Sequence, residues 1–129
     1  MKDIYSRVSE LREKETRNIV GLMSGTSADG ITAALANISG TGESAEVQLI
    51  GYKTYPYAVD VRERVFDLFK PGQGTVQDVC EMNSVLGGAF AEAANQLISD
   101  LGFTREEVDL VGSHGQTIWH QPDAEPVSG

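Results

Sequence analysis

The sequence predicts an α/β fold, either one compact domain or a piece of a larger one. Three observations support this prediction: three apolar runs near the N-terminus read as β-strands, the apolar spacing then becomes helical, and a short apolar run follows the second helical stretch. The predicted order is therefore strand, strand, strand, helix, helix, strand. The chain has 129 residues, of which 40% are hydrophobic and 22% charged, as in ordinary globular domains.

The predicted elements begin with a short helix and an antiparallel meander. Ile4, Val8 and Leu11 are spaced by four and three residues, which predicts an amphipathic lead-in helix within residues 4–16. Short connections between the next three apolar runs favour antiparallel pairing of consecutive strands. These predicted strands are residues 18–23, 31–38 and 46–57.

Two helices follow the meander. The apolar residues of segment 59–69 recur at helical spacing, and Pro and Gly residues end the pattern. A longer helix is predicted from about residue 76 to residue 101, with one apolar face. Gly87 and Gly88 interrupt it, and since each glycine costs a helix about 1 kcal/mol, they predict a close contact with another helix.

The C-terminal third is predicted to contain a capping box and a buried strand. Thr104 and Glu107 have the spacing of a capping box, and segment 110–122 begins as a short buried strand. Trp119 beside that strand is predicted to belong to the core. Cys80 lies in an apolar-periodic stretch, where buried cysteine is common.

The charge balance narrows the classes of partner. A formal net charge of −9 repels phosphate backbones and anionic lipid surfaces, so we expect neither nucleic-acid binding nor membrane binding. The highly charged N-terminus does not resemble a signal peptide, and a single cysteine cannot form an intramolecular disulfide. A cytoplasmic protein is the expectation.

A first polar loop, residues 24–30, separates the first two predicted strands. Its glycines and hydroxyls can turn backbone and side-chain donors toward phosphate oxygens, although a hairpin turn alone would have the same composition. Asp29 can hold a hydrated Mg²⁺, or the Asp29-Gly30 pair can simply turn the chain. The candidate binding residues are Ser24, Gly25, Thr26, Ser27, Asp29 and Gly30.

A second polar loop, residues 112–117, follows the last predicted strand. It contains His114, Gln116 and Thr117, which offer hydrogen-bond donors and acceptors to a polar small molecule. The alternative is a metal-dependent hydrolase that uses His114, His120 and Asp123, although their spacing fits no established zinc pattern.

Three segments, GLMSGTSADGI, MNSVLGGAFAEAA and VGSHGQTIWHQP, together resemble the N-terminal part of the anhydro-N-acetylmuramic acid kinase family. The resemblance implies a ribonuclease H-like domain, as in actin, sugar kinases and heat-shock ATPases. It also implies an enzyme that uses ATP and water to open the 1,6-anhydro ring of anhydro-N-acetylmuramic acid and to phosphorylate the sugar. The expected domains are a helical lead-in, residues 1–17, and the first part of the kinase domain, residues 18–129.

The resemblance assigns roles to the two polar loops. Residues 24–27 would contact the β- and γ-phosphates of ATP, with Asp29 near the metal or the hydroxyls. His114 and Gln116 would face the cleft where the sugar and the γ-phosphate meet. The family's catalytic aspartate is expected beyond Gly129, so we expect an N-terminal fragment that is inactive alone; the alternative is a non-catalytic nucleotide-binding or sugar-binding module. We also expect a homo-oligomer, a dimer or larger, which a monomer in sedimentation at high concentration would contradict.

Two positions depart from related patterns. Related kinases outside the family often have an acidic residue where Met23 stands, which makes Asp29 the more plausible charge near the metal. The family's usual loop ends with an aspartate at the position of Thr32, so a hydroxyl replaces a carboxylate there.

Overall fold

A computed structural model describes residues 3–123, with the predicted order of elements. The boundaries agree closely with those expected from the sequence. The helices are α1 (Ile4–Glu13), α2 (Val59–Phe69) and α3 (Val76–Asp100). The strands are β1 (Thr16–Ser24), β2 (Gly30–Ser39), β3 (Glu46–Pro56) and β4 (Leu110–Gln116). Short 3₁₀ turns occupy Gly42–Ser44 and Arg105–Glu107.

The four strands form one mixed sheet in the order β3-β2-β1-β4. β1, β2 and β3 are an antiparallel meander, as predicted, and β4 pairs with β1 in parallel. The chain therefore passes through α2 and α3 between β3, at one edge, and β4, at the other. Because Ser24 is in register with Gln116, the carboxyl ends of β1 and β4 lie side by side, and so do the polar segments that follow them.

The main core lies between α3 and one face of the sheet. Alternate residues of the strands point toward α3, which presents residues at helical spacing in return. Burying each large side chain contributes roughly 1.5–3 kcal/mol. The buried set from the sheet is Val20, Leu22, Ile31, Ala33, Leu35 and Tyr55, with Tyr57 just after β3, and the set from α3 is Phe90, Ala93, Ala94, Leu97 and Ile98.

A second, smaller core joins α2 to α3. Val65 and Leu68 of α2 pack with Met82 of α3, and Ala28, from the first polar loop, is fully buried among them. The loop is thus anchored in the apolar interior by one small side chain. This anchoring fixes the position of the polar residues on either side of it.

The N-termini of α3 and of the second 3₁₀ turn carry reciprocal caps. The Thr104 and Glu107 capping box is confirmed: the Thr104 backbone N–H donates to the Glu107 carboxylate over 2.7 Å. That hydrogen bond, with a second from the Thr104 hydroxyl, holds the pKa of Glu107 below its usual value. Thr75 and Asp78 form the same arrangement at the start of α3.

Several predicted burials are wrong. Trp119, on the segment that follows β4, is 62% exposed, whereas its neighbour Ile118 packs against the smaller core. Cys80 is exposed because it lies on the outer side of the first turns of α3. β4 is largely exposed rather than buried, since it forms an edge of the described sheet. α1 buries none of its residues, so its apolar spacing reflects no packed face within residues 3–123.

The predicted helix contact at Gly87 and Gly88 is also wrong. A Cβ atom added to either glycine would meet nothing within 4 Å among the described residues beyond its own helix and neighbours. Both glycines are exposed. Their cost to α3 is therefore not offset by close helix packing among the described residues.

The face of the sheet opposite α3 is rich in apolar and small residues. In register across the strands, Gly21 lies between Ala34 and Gly112, and Ala34 lies beside Tyr52, whose side chain is 69% exposed. Thr32 belongs to this face, where its hydroxyl is hydrogen-bonded to that of Thr54 over 2.9 Å. No helix in residues 3–123 is long and apolar enough to cross a membrane.

The end of α3 is tied to β3 by a charged cluster whose titration can be measured. The Tyr55 hydroxyl donates to the Asp100 carboxylate over 2.9 Å, and Lys53 donates to the same oxygen over 2.8 Å. Desolvation, with the hydrogen bond and charge of Asp100, raises the pKa of Tyr55 to about 12 from 10.0. The hydrogen bond from Lys53, followed by that from Tyr55, lowers the pKa of Asp100.

We predict that Asp100→Asn lowers the pKa of Tyr55 while burial keeps it above 10.0. Because the folded state holds the Tyr55 proton more tightly than the unfolded state does, the wild-type chain should lose stability as pH rises from about 10 to about 12. In the variant this loss should begin at the same pH, set by the unfolded state, but end at lower pH and be smaller. Alkaline titration by ultraviolet absorbance, with Asp67→Asn as a remote control, measures the change; identical Tyr55 titrations in both variants would contradict the assignment.

Candidate functional site

The first polar loop is a compact turn whose two ends are joined by a buried hydrogen bond. The buried Ser24 hydroxyl donates to the carbonyl of Gly30 over 2.8 Å, which joins the two ends of the loop. Within the loop, the Ala28 N–H donates to the carbonyl of Gly25 over 3.2 Å. Thr26 and Ser27, between those residues, are exposed to solvent.

Ala28 determines which loop residues point outward. It has a positive φ of 45°, uncommon for a residue with a side chain, and its methyl group is fully buried in the smaller core. The backbone strain persists because the surrounding packing holds it, a feature that clusters at binding sites. As a result, the hydroxyls of Thr26 and Ser27 and the carboxylate of Asp29 are on the accessible side of the loop.

Gly30 allows the hairpin to close against β3. A Cβ at this position would lie 2.9 Å from the Cα of Pro56 and closer still to the carbonyl oxygen of Tyr55. Real Cβ atoms do not approach backbone atoms this closely. Gly30 is therefore required by the packing of β2 against β3, and the start of β2 fixes the end of the polar loop.

Asp29 forms an ion pair with Arg62 on α2. Its carboxylate lies 3.2 Å from Nη2 of Arg62, and Nε of Arg62 donates to the carbonyl of Ala28 over 3.0 Å. The guanidinium also lies over the ring of Phe66, 4.8 Å from its centroid. The Asp29 side chain is 71% exposed, so the ion pair itself contributes little to stability. Its main effect is to orient Arg62 along the loop.

Gln116 connects the second polar loop to the first. Its side-chain N–H groups donate to the carbonyls of Gly25, over 2.8 Å, and Thr117, over 2.9 Å, while its carbonyl accepts from the Tyr57 hydroxyl over 2.9 Å. The backbone N–H of Thr117 also donates to the carbonyl of Ser24 over 3.1 Å. One side chain thus joins three segments that are distant in sequence.

Tyr57 lies beneath this connection. It is buried, and burial raises the pKa of its phenol, an effect that a hydrogen bond with the Ser24 hydroxyl opposes. The phenol is therefore neutral near pH 7 and serves as a hydrogen-bond donor to Gln116. Neutral partners throughout the network leave the loop carbonyls satisfied without a buried charge.

The remaining residues of the second polar loop are distributed differently. Most of the segment continues β4 rather than forming a loop, and His114 is exposed on that strand. Thr117 and Thr26 line one shallow pocket of about 270 Å³, together with Trp119 and His120. The structure thus brings Thr117 and Gln116 to the first polar loop, whereas His114 lies exposed on β4 and stays a predicted sugar ligand.

The geometry gives no support to the metal-dependent hydrolase. Within the described range 3–123, which includes His114, His120 and Asp123, no three His, Cys, Asp or Glu side chains are grouped so that they could hold a metal ion. A phosphate-bound magnesium ion makes smaller demands, because it keeps several waters and needs only one or two carboxylates. The exposed carboxylate of Asp29 fits that requirement and would supply one oxygen.

The two polar loops have the chemistry to receive a phosphate chain. Thr26 and Ser27 present two accessible hydroxyls, and a Cβ added to Gly25 would meet nothing within 4 Å, so a ligand can approach the backbone there. Arg62 supplies a positive charge beside them. Ser24 is different: its hydroxyl is buried and used to close the loop.

Two residues of the site were not predicted from the sequence. Tyr57 follows β3 and contacts Gln116, 59 positions away, and Arg62 on α2 reaches Ala28 and Asp29 across more than 30 positions. No local pattern in the sequence marks such contacts. The order of strands provides the one available signal, because a meander returns the end of β3 to the start of β2.

Comparisons with known proteins agree with the three motifs. The sequence model of the anhydro-N-acetylmuramic acid kinase family matches residues 17–128. A curated protein of that name from Caldanaerobacter subterraneus subsp. tengcongensis is 49% identical over 117 residues, covering 91% of this chain and 30% of the relative. A protein of the same name from Bacillus thuringiensis subsp. konkukian is 43% identical over 104 residues, covering 81% and 27%.

Among solved structures, CasPhi-2 (Cas12j) bound to crRNA and phosphorothioate-DNA aligns with a TM-score of 0.29 and 16% identity over 78% of this chain and 16% of that one, too low a similarity to bear on the fold. The chain spans about 30% of the length of the first curated relative. The match to the family model is much more extensive, because it covers residues 17–128 and includes both polar loops. The chain belongs to the anhydro-N-acetylmuramic acid kinase family.

Proposed function

We propose that this chain supplies the phosphate-binding loops of an ATP-dependent kinase that acts on anhydro-N-acetylmuramic acid. The observation that carries the proposal is the connection made by Gln116, which joins the second polar loop to the carbonyl of Gly25 in the first. Two segments that are separate in sequence thereby become one polar surface. Family membership supports the choice of reaction, in which ATP and water open the 1,6-anhydro ring and the sugar receives a phosphate on O6.

In this proposal the chain's own residues position phosphate rather than form bonds to it. The hydroxyls of Thr26 and Ser27 would donate to phosphate oxygens, Arg62 would offset negative charge, and Asp29 would hold one side of a hydrated Mg²⁺. Such positioning and charge neutralisation account for most of the catalysis of phosphoryl transfer. His114 and Gln116, with Thr117, would contact the sugar at the adjoining end of β4.

We also propose the finer fold assignment, a ribonuclease H-like domain over residues 18–129. The three-stranded antiparallel meander and the parallel pairing of β4 with β1 support it. The apolar face opposite α3 supports the further proposal that the chain associates with itself, because exposed sheet surfaces of this kind favour association. A monomer in sedimentation at high concentration would contradict this proposal.

The test compares this chain with the longest natural product of its gene. Mass spectrometry would follow ATP-dependent formation of the phosphorylated, ring-opened sugar, which we expect from the longer product and not from the 129 residues alone. Replacing both Thr26 and Ser27 with alanine in the longer product should lower kcat/KM for ATP at least about tenfold, through loss of hydrogen bonds to charged oxygens.

The matched control is Thr41→Ala, an exposed threonine at the other end of the β2 strand, which should leave kcat/KM unchanged. Equal effects of the control and of the double substitution would contradict the assignment of the first polar loop. Binding of ATP or sugar without phosphorylation, in both lengths of protein, would favour a non-catalytic binding module instead.

A further inference from the structure

Tyr57 is a buried side chain to which the proposed function gives no role. Its ring belongs to the main core between the sheet and α3. Its hydroxyl contacts the last residues of two strands: it donates to the side-chain carbonyl of Gln116, on β4, over 2.9 Å, and it is hydrogen-bonded with the hydroxyl of Ser24, on β1. The core therefore fixes the position of a phenol that contacts both polar segments.

The Tyr57 hydroxyl holds the Gln116 amide in one arrangement. The phenol donates to Oε1, while Nε2 donates to the carbonyls of Gly25 and Thr117 over 2.8 and 2.9 Å. Without the phenol, Oε1 would have no donor in this position, and turning the amide over would place Oε1 against the two carbonyl oxygens. Either arrangement leaves a polar group unpaired, so the side chain should move toward solvent and release the Gly25 carbonyl.

The carbonyls held in this way determine where the backbone N–H groups of the first polar loop point. In a planar trans peptide group, the carbonyl and the N–H of the next residue point in opposite directions. Because the Gly25 carbonyl faces Gln116, the Thr26 N–H points away from the second polar loop. The Ser24 carbonyl accepts from the Thr117 N–H over 3.1 Å, so the N–H of the next residue also points away.

We propose that Tyr57 is a positioning residue for the first polar loop: through the Gln116 amide it keeps the Gly25 carbonyl turned away from the bound phosphate, so that the loop presents N–H groups to the anion. This inference rests on the proposed function. Phosphate oxygens accept hydrogen bonds from N–H groups and repel a carbonyl oxygen, so the direction of this peptide group should affect the binding of ATP. Because Tyr57 is buried, it acts through Gln116 and not by contact with the phosphate.

The first test follows the Gln116 side-chain amide by NMR in the isotopically labelled 129-residue chain without nucleotide. Tyr57→Phe removes the hydroxyl and keeps the ring that packs in the core. We expect the side-chain amide protons of Gln116 to exchange with water at least about tenfold faster than in wild type, because Nε2 is released from the two carbonyls. The backbone amide of Thr26 should shift in the same variant.

The matched control is Tyr55→Phe, which removes another buried phenol, on β3. That hydroxyl donates to Asp100, so the control loses one hydrogen bond of the same kind without touching Gln116. It should leave the exchange of the Gln116 amide and the Thr26 shift unchanged. Equal exchange of the Gln116 amide in the two variants would overturn the inference.

The second test measures the consequence for ATP in the longer gene product. Tyr57→Phe should raise KM for ATP at least about fivefold, through misaligned hydrogen bonds to charged oxygens, whereas Tyr55→Phe should leave it unchanged. Because Tyr57 acts through Gln116, adding Tyr57→Phe to Gln116→Ala should produce no further rise. Effects of the two substitutions that multiply would mean that Tyr57 does not act through this amide.

The outcome is separable from that of the proposed function. If the longer product phosphorylates the sugar and Tyr57→Phe behaves in both tests as Tyr55→Phe does, only the role of Tyr57 is wrong. If the Gln116 amide exchanges faster in Tyr57→Phe but the longer product transfers no phosphate, the kinase proposal is wrong, and the positioning of Gln116 and the first polar loop by Tyr57 stands.

Discussion

Replacing Gly30 with alanine is expected to lower the free energy of unfolding by about 3 kcal/mol, at the upper end of what overpacking costs. The new Cβ would lie 2.9 Å from the Cα of Pro56 and nearer still to the carbonyl of Tyr55. Both obstacles are backbone atoms, so no flexible side chain can move aside. β2 and β3 would have to separate at the point where the first polar loop ends.

The same substitution should disturb the candidate site. Gly30 accepts the hydrogen bond from the buried Ser24 hydroxyl that closes the loop, and this bond depends on the position of the Gly30 carbonyl. Displacement of Gly30 would leave Ser24 buried without its partner, which itself costs about 1–3 kcal/mol. We therefore expect lower stability and, if the proposed function holds, weaker binding of ATP at this loop.

Thermal and urea unfolding of the 129-residue chain measures the effect, with Gly25→Ala as the matched control. An alanine Cβ at residue 25 has open space around it, so the control should change stability by no more than about 0.5 kcal/mol. A loss of about 3 kcal/mol corresponds to a decrease of roughly 10 °C in Tm for a chain of this size. If both variants unfold at the same temperature, the close approach of β2 to β3 is wrong.

The contrast between Gly30 and Gln116 explains which parts of the molecule could be predicted from the sequence. The elements could be predicted, because alternation, helical spacing and the Thr104 and Glu107 cap are local patterns. The obstacle next to Gly30 belongs to β3, and the partner of Gln116 lies 91 positions away. Contacts of that kind follow from the order of strands, which a periodic pattern does not specify.

Burial was harder to predict than secondary structure for the same reason. Trp119 and Cys80 were assigned to the interior on residue type, yet the direction each side chain takes depends on which elements cover it. Gly87 was assigned to helix packing on composition, and in the structure it borders open space. These three errors concern residues whose surroundings are formed by distant segments.

The second large effect is expected from Gln116→Glu, a substitution that keeps the shape of the side chain and changes its hydrogen-bonding groups. The two donors to the carbonyls of Gly25 and Thr117 would be replaced by a carboxylate oxygen facing two carbonyl oxygens. Leaving such groups without donors costs about 1–3 kcal/mol each, and more when one is charged. We expect a loss of about 3 kcal/mol in the free energy of unfolding at pH 8.

The loss should depend on pH in a defined direction. Repulsion from the carbonyls and partial burial would raise the pKa of the new carboxyl in the folded state above its unfolded value of about 4.3. The folded state would then bind the proton more tightly, so the stability of the variant, relative to wild type, should fall as pH rises above about 4 and should be partly recovered below it. A protonated carboxyl can donate one hydrogen bond, to Gly25 or to Thr117, but not both.

Urea unfolding of the variant and of wild type at several pH values measures this difference, and Gln96→Glu on the exposed side of α3 is the matched control. The control carries the same change in charge at a solvated position, so its stability relative to wild type should vary little with pH. A Gln116→Glu profile parallel to that of the control would mean that the side chain does not join the two polar loops. A recovery at low pH confined to Gln116→Glu would show that the connection on which the proposed phosphate site depends is made by this amide.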